Sequence, residues 1–155
     1  MPISDPKIKI RDMIAAAWDN TKSDNKAPRV HTGWFNAKYA TTPQITVTHP
    51  FEFTHFGGVT GFRAFSGDGD LVRNVIVDLA VTVWTTHDMT SLNGKALLDS
   101  MSKEVKRIID ANRTSDVELE WLAWLGQSEP TPDTQADPIL FKQPHDVRLF
   151  YRETV

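Results

Sequence analysis

The sequence predicts an α+β fold: an antiparallel β-sheet with an N-terminal helix and a central amphipathic helix packed on it. Two observations carry this. Val75, Val77, Leu79, Val81 and Val83 alternate, which puts five branched apolar side chains on one face of a long strand. After Thr85-Thr86-His87-Asp88 the period changes, and Leu97, Leu98, Met101, Val105, Ile108 and Ile109 recur at helical spacing. With 155 residues, 40% hydrophobic and 24% charged, the chain suits one domain spanning 1–155. That length buries ~70% of the surface exposed on unfolding.

Taken in order, Asp5 is the expected N-cap of a first helix over 6–19, with Pro6 at its first position, where a missing N–H costs nothing. Ile10, Met13, Ile14, Ala17 and Trp18 form its apolar stripe. Residues 20–28 are polar and end in Pro28, an exposed loop. A short strand is expected over 29–35 with Val30 and Trp34 buried, then a loop over 36–43. A second strand, 44–49, should turn Ile45 and Val47 inward and its threonines outward.

Residues 51–70 hold five of the eight glycines and five of the eight phenylalanines. They read either as an arm that packs on a partner or as a glycine-weakened strand of the same sheet. Residues 59–65 are the strand-like part, and Ser66-Gly67-Asp68-Gly69-Asp70 is a hairpin tip leading into the long strand. Beyond that strand, Thr90 or Ser91 is the expected N-cap of the central helix over 92–111, and Asn112 its end. A strand over 116–125 places Val117, Leu119, Trp121, Ala123 and Leu125 on one face, opposite Glu118, Glu120, Leu122 and Trp124. Residues 126–138 read as a flexible loop, followed by the brief apolar run Ile139-Leu140-Phe141. A last strand over 146–154, antiparallel to that of 116–125, alternates Val147, Leu149 and Tyr151 with Arg148, Phe150 and Arg152.

No stretch approaches the ~20 apolar residues of a membrane span, and the first residues lack the basic-then-apolar order of a secretion signal. With no cysteine there are neither disulfides nor thiolate metal sites. A net charge of −3 gives no general attraction to nucleic acid. His31, His49, His55, His87 and His145 lack the close spacing of a metal site. Asp68-Gly69-Asp70 lacks the later carboxylate of a calcium loop. Met89 and Asn93 stand where a serine elbow at Ser91 needs glycines, and Gly57-Gly58-Val59-Thr60-Gly61 runs into a strand rather than a phosphate-binding helix. Glu118 and Glu120 fit a solvated strand face better than acid–base chemistry. Lys103, Lys106, Arg107 and Arg113 are the best basic patch, diluted by Glu104 and Asp110. No catalytic residue, cofactor or metal is expected, and the chain is not read as an enzyme.

In element order, and in ending on Val147-Arg148-Leu149-Phe150-Tyr151-Arg152, the chain resembles the tail terminator, or tail-completion, proteins of long-tailed phages and related archaeal viruses, the lambda minor tail protein U-like group. The resemblance covers most of the chain and is weakest over 51–70 and 126–138. It implies a structural virion protein that caps the tail tube, joins it to the head connector and acts as a homo-oligomeric ring, a hexamer in the family. The implied partners are further copies of the chain, the tail tube protein and the head–tail connector, with neither direct nucleic-acid recognition nor a membrane. The implied location is the tail or neck of the virion, and the host cytoplasm before assembly. Candidate interface residues are Phe51, Phe56, Phe65, Thr46, Thr48, Ile139, Leu140 and Phe141. The alternatives are a head–tail adaptor or tail tube subunit, or a small ligand-binding or enzyme domain using Trp34, Trp84, Trp121, Trp124 and nearby histidines as a pocket.

Overall fold

The computed structural model describes residues 5–39, 41–48, 59–65, 71–89, 93–115, 119–136 and 138–154, with backbone alone for 59–65, 71–74 and 152–154. The fold is α+β. Helix α1 (Pro6–Ala17) begins where expected: the Asp5 carboxylate accepts the Lys7 N–H at 2.9 Å, and Pro6 sits at the first position. Ile10 and Ile14 are fully buried, Met13 and Trp18 partly so. Residues 20–28 open with a 3-10 turn, Asn20–Ser23, whose Ser23 hydroxyl accepts the Trp18 indole N–H at 2.9 Å.

The strands are β1 (Arg29–Thr32), β2 (Gln44–Thr48), β3 (Val59–Phe65), β4 (Leu71–Thr86), β5 (Trp121–Gln127), β6 (Thr131–Asp133) and β7 (Leu140–Thr154). They form one sheet in the order β1-β2-β4-β7-β5, with β3 also on β4 and β6 also on β7. The long strands β4 and β7 pair antiparallel over fifteen residue pairs, from Val72 with Thr154 to Thr86 with Leu140. β5 pairs antiparallel with β7, as expected. The sheet is antiparallel except at β1 and β2, which run parallel. β3 and β4 pair antiparallel, as a hairpin requires, while the expected tip at 66–70 lies outside the described residues.

Helix α2 (Gly94–Ala111) lies against β4, β5 and β7, and α1 against β1 and β2. The face they cover carries the core: Val75, Val77, Leu79, Val81 and Val83 of β4, Ile45 and Val47 of β2, and Val147 and Leu149 of β7, none more than 5% exposed. Leu97, Leu98, Met101, Val105, Ile108 and Ile109 of α2 complete it. Burying each such side chain contributes about 1.5–3 kcal/mol.

Asn93, not Thr90 or Ser91, caps α2: its side chain accepts the Lys95 N–H at 2.8 Å. The start is set by Gly94, whose N–H donates to His87 Nδ1 at 3.0 Å and whose carbonyl accepts the Thr85 hydroxyl at 2.7 Å. A Cβ at Gly94 would come within 2.9 Å of the Thr86 and His87 backbone, so only glycine lets the helix begin so close to the strand. Asn112 does end the helix, its N–H and side-chain amide both reaching the Ile108 carbonyl.

Other expectations are corrected too, among them the start of the last strand, which is Leu140 and not 146 because β4 pairs with it that far. Trp34 is 75% exposed, because β1 stops at Thr32 and the chain turns over the sheet. Thr46 is buried, since that turn covers it and the Trp84 indole N–H donates to its hydroxyl at 2.8 Å. In β5 it is Leu122 that is buried, while Trp121 and Leu125 are 37% and 50% exposed. Pairing decides this: Leu122 sits opposite Leu149 and Trp124 opposite Val147, and a strand's face follows its register. Leu119 is buried because it precedes a bend, out of phase with the strand.

Residues 126–138, finally, are more than a loop. β5 runs to Gln127, with an irregularity in register between Trp124 and Gly126, whose φ of +152° suits glycine. β6 pairs with 140–142 of β7. Between β5 and β6 the sheet leaves a gap opposite Pro144, where only the Ser128 N–H reaches the proline carbonyl, at 3.0 Å. Because a strand residue's N–H and C=O share one side, the N–H that Pro144 lacks would have pointed into that gap, which is how a proline fits a long inner strand.

Candidate functional site

Side chains of β4 at even positions from 76 to 84 point to the face opposite the helices, and the register of the sheet extends them into rows. Ile76 aligns with Phe150 and Trp121, and Asp78 with Arg148 and Ala123. Ala80 aligns with Thr48 and Asp146, and Thr82 with Thr46 and Pro144. The next row runs Arg29, Gln44, Trp84, Lys142, Thr131 across five strands. Among the described residues, only the β1–β2 connection packs on this face.

The Ile76 row, the first whose side chains are described, is apolar. Trp121 stacks on Phe150 with ring centroids 6.2 Å apart and planes 16° from parallel, and Ile76 is half-buried beside them. This row reaches β5, an edge strand whose sequence, Trp-Leu-Ala-Trp-Leu-Gly-Gln, holds no charge. Natural edges are usually blunted by charge or proline; β1 carries Arg29 and His31, and β6 carries Pro132 and Asp133. Next to the apolar row, the Arg148 guanidinium bonds Asp78 in bidentate fashion at 2.7 and 3.0 Å. That pairing holds the arginine proton more tightly than usual. It fixes both side chains at the centre of the face.

The Trp84 row is aromatic and basic. Trp84 is buried under Phe35 (centroids 5.7 Å) and edge-on to Trp34 (6.5 Å). Arg29 lies 3.8 Å over the Tyr39 ring. Lys38 is 5.8 Å from that ring, and Lys142 is 5.8 Å from Trp84. The fully buried Gln44 clamps the connection in place: its carbonyl oxygen accepts the Asn36 N–H, and its amide donates to the Asn36 and Tyr39 carbonyls, at 2.8–3.1 Å.

The candidate interface residues do not converge. Thr48 is half-buried on the uncovered face, and Thr46 lies beneath Trp84. Ile139 is 37% exposed just before β7. Leu140 and Phe141 are half-buried at the far end of the sheet, where Phe141 meets His87 edge-to-face at 5.1 Å. Phe51 and Phe56 lie outside the described residues, and Phe65 is described only as backbone in β3. Sequence reasoning missed Trp121 and Phe150 as a stacked pair, and the cluster of Arg29, Lys38, Tyr39 and Lys142. The uncharged β5 was a visible signal for the first. Nothing local marks the second, because sheet register brings Arg29 and Lys142 into one row and the β1–β2 connection folds Lys38 and Tyr39 over it.

The tryptophans of the pocket alternative separate as well. Trp34 and Trp84 share one end of the uncovered face, Trp121 stands at the other, and Trp124 turns to the helix side, where its indole N–H donates to His145 Nδ1 at 3.0 Å. Indole is only a donor, so Nδ1 must be bare and the imidazole proton sits on Nε2, which has no partner among the described residues. His145 is fully buried, and burial pushes its pKa down to about 4.

Of the other histidines, His31 lies by the Trp34 carbonyl on the uncovered face and His87 is exposed. His49 and His55 fall outside the described residues, as does Glu118, while Glu120 is exposed. Among the described residues no three His, Cys, Asp or Glu side chains are grouped to hold a metal, and no helix is long and apolar enough to cross a membrane.

On the helix side, a shallow cleft between the 3-10 turn and α2 is lined by Lys22, Asp99, Ser100, Lys103, Glu104 and Arg107. The buried Glu104 carboxylate accepts the Asp19 N–H at 2.8 Å and bonds Arg107. Burial pushes that carboxyl up, but these hydrogen bonds outweigh it and hold the group below the ordinary glutamate range. The cleft therefore ties α1 to α2. No family model matches the chain, and no curated protein matches its sequence.

Proposed function

We propose that this chain is a structural virion protein, a tail terminator that assembles as a ring, closes the tail tube and joins it to the head connector. One observation carries the reading: the Ile76–Phe150–Trp121 row runs across an uncovered sheet face to an uncharged edge strand. Aromatic side chains at a flat, strand-edged surface suit contact with a protein neighbour, and an open edge can pair with the next subunit. The order of elements, with α1 ahead of the sheet and α2 between β4 and the paired β5 and β7, also supports the resemblance.

The test is native mass spectrometry with negative-stain microscopy, on the purified chain alone and with assembled tail tubes of the same virus. Rings of one size, alone or at tube ends, are expected, and Trp121→Glu should abolish them in a folded protein. A chain that stays monomeric in both settings contradicts the proposal. Decoration along the whole tube would identify a tube subunit instead.

A further inference from the structure

Lys103, Lys106 and Arg107 of α2 and the cations at the Trp84 end of the uncovered face differ in one respect. On α2, Lys103 is 3.0 Å from Asp99, Lys106 pairs with Asp110, and Arg107 with Glu104. That patch is neutralised where it stands. Arg29, Lys38 and Lys142 pair with no carboxylate among the described residues; each rests against an aromatic ring instead. A cation held over a ring keeps its charge and most of its N–H donors for a further partner.

These three groups lie in the Trp84 row of the sheet and its overlying connection. Arg29 and Lys142 are three strands apart, roughly 14 Å at the usual spacing of strands. Between them Trp34 stands three-quarters exposed, braced by its edge contact with Trp84 and by His31 at its carbonyl. Gln44 fixes the residues that carry Lys38 and Tyr39. The patch is therefore preorganised, and binding to it would cost little further ordering.

We infer that this end of the sheet binds single-stranded nucleic acid, with Trp34 stacking on a base and Arg29, Lys38 and Lys142 on successive phosphates. The combination selects the ligand. Cations alone would suit any polyanion, and an exposed indole alone any apolar group. A tracked row of both is the arrangement that stacks bases while neutralising a backbone. With the three cations on phosphates and the indole on a base's face, none of these four side chains reads a base edge, so the binding is independent of sequence.

Fluorescence anisotropy of a labelled oligo(dT) with the full chain tests this, with polyglutamate as an unlabelled competitor. For three phosphate contacts the plot of log K against log salt has a slope of about −2. Trp34→Ala weakens binding about tenfold and keeps that slope; the triple change Arg29→Ala, Lys38→Ala, Lys142→Ala flattens it. Lys95→Ala with Lys103→Ala, on the helix side, leaves binding unchanged. Circular dichroism checks that each variant is folded. Absence of oligo(dT) binding at low salt overturns the inference. So does a Trp34→Ala protein that binds as the parent does, or displacement by polyglutamate as effective as by unlabelled oligo(dT), which would mark an acidic protein surface.

Discussion

At the scale of single residues, His145 and Gly94 show how position sets chemistry. His145 is neutral in the folded chain and faces Trp124, whose ring carries Lys106 4.8 Å above it. Its folded pKa, about 4, lies below the ordinary 6.5, so the unfolded chain takes up the proton first. The stabilisation is full above pH 6.5 and is lost as pH falls towards 4, about 3 kcal/mol in all. His145→Gln, which keeps an acceptor for Trp124, should lose less stability than the parent between pH 7 and pH 4.5 in paired urea titrations. Equal losses would mean that the histidine does not report its burial. Gly94→Ala should destabilise by about 1–3 kcal/mol, since the new Cβ meets backbone that cannot move aside; a thermal melt measures it. His145 was legible as a histidine and nothing more. Its burial follows from pairing with Val81 on the core face of a strand begun six residues earlier than expected.

At the scale of elements, β4 and the body of α2 were legible, because each commits to a single period and one apolar stripe; the cap of α2 was not, since Gly94 sets its start through contacts with the strand end. β5 was not. Both of its faces carry apolar groups, so alternation could not choose between them, and only the register with Leu149 and Val147 does. A direct consequence is that Leu122→Ala should cost about 2–5 kcal/mol, whereas Leu125→Ala, at a half-exposed position, should cost under about 0.5 kcal/mol. Reversal of that order in urea unfolding would mean that the strand presents its other face. β6 was hidden for a different reason: two of its three residues, Pro132 and Asp133, are types depleted in strands, and long β7 recruits it. The parallel pairing of β1 with β2 was invisible too, since nothing in four residues states their direction.

At the scale of the whole molecule, helices cover one face of the sheet, and the other is divided into an apolar end, a central ion pair and a basic aromatic end. The fold class was readable because two strong periodic segments impose it. The candidate surface was mostly not, since rows such as Ile76–Phe150–Trp121 join residues up to 74 positions apart. The uncovered face gives the proposed ring two distinct contacts to offer, one to its neighbours and one to whatever lies along its axis or rim. The most direct measurement is immunogold electron microscopy of intact virions with antibody against this chain. A single band of label at the head–tail junction is the expected result; virions carrying no label there would contradict the assignment.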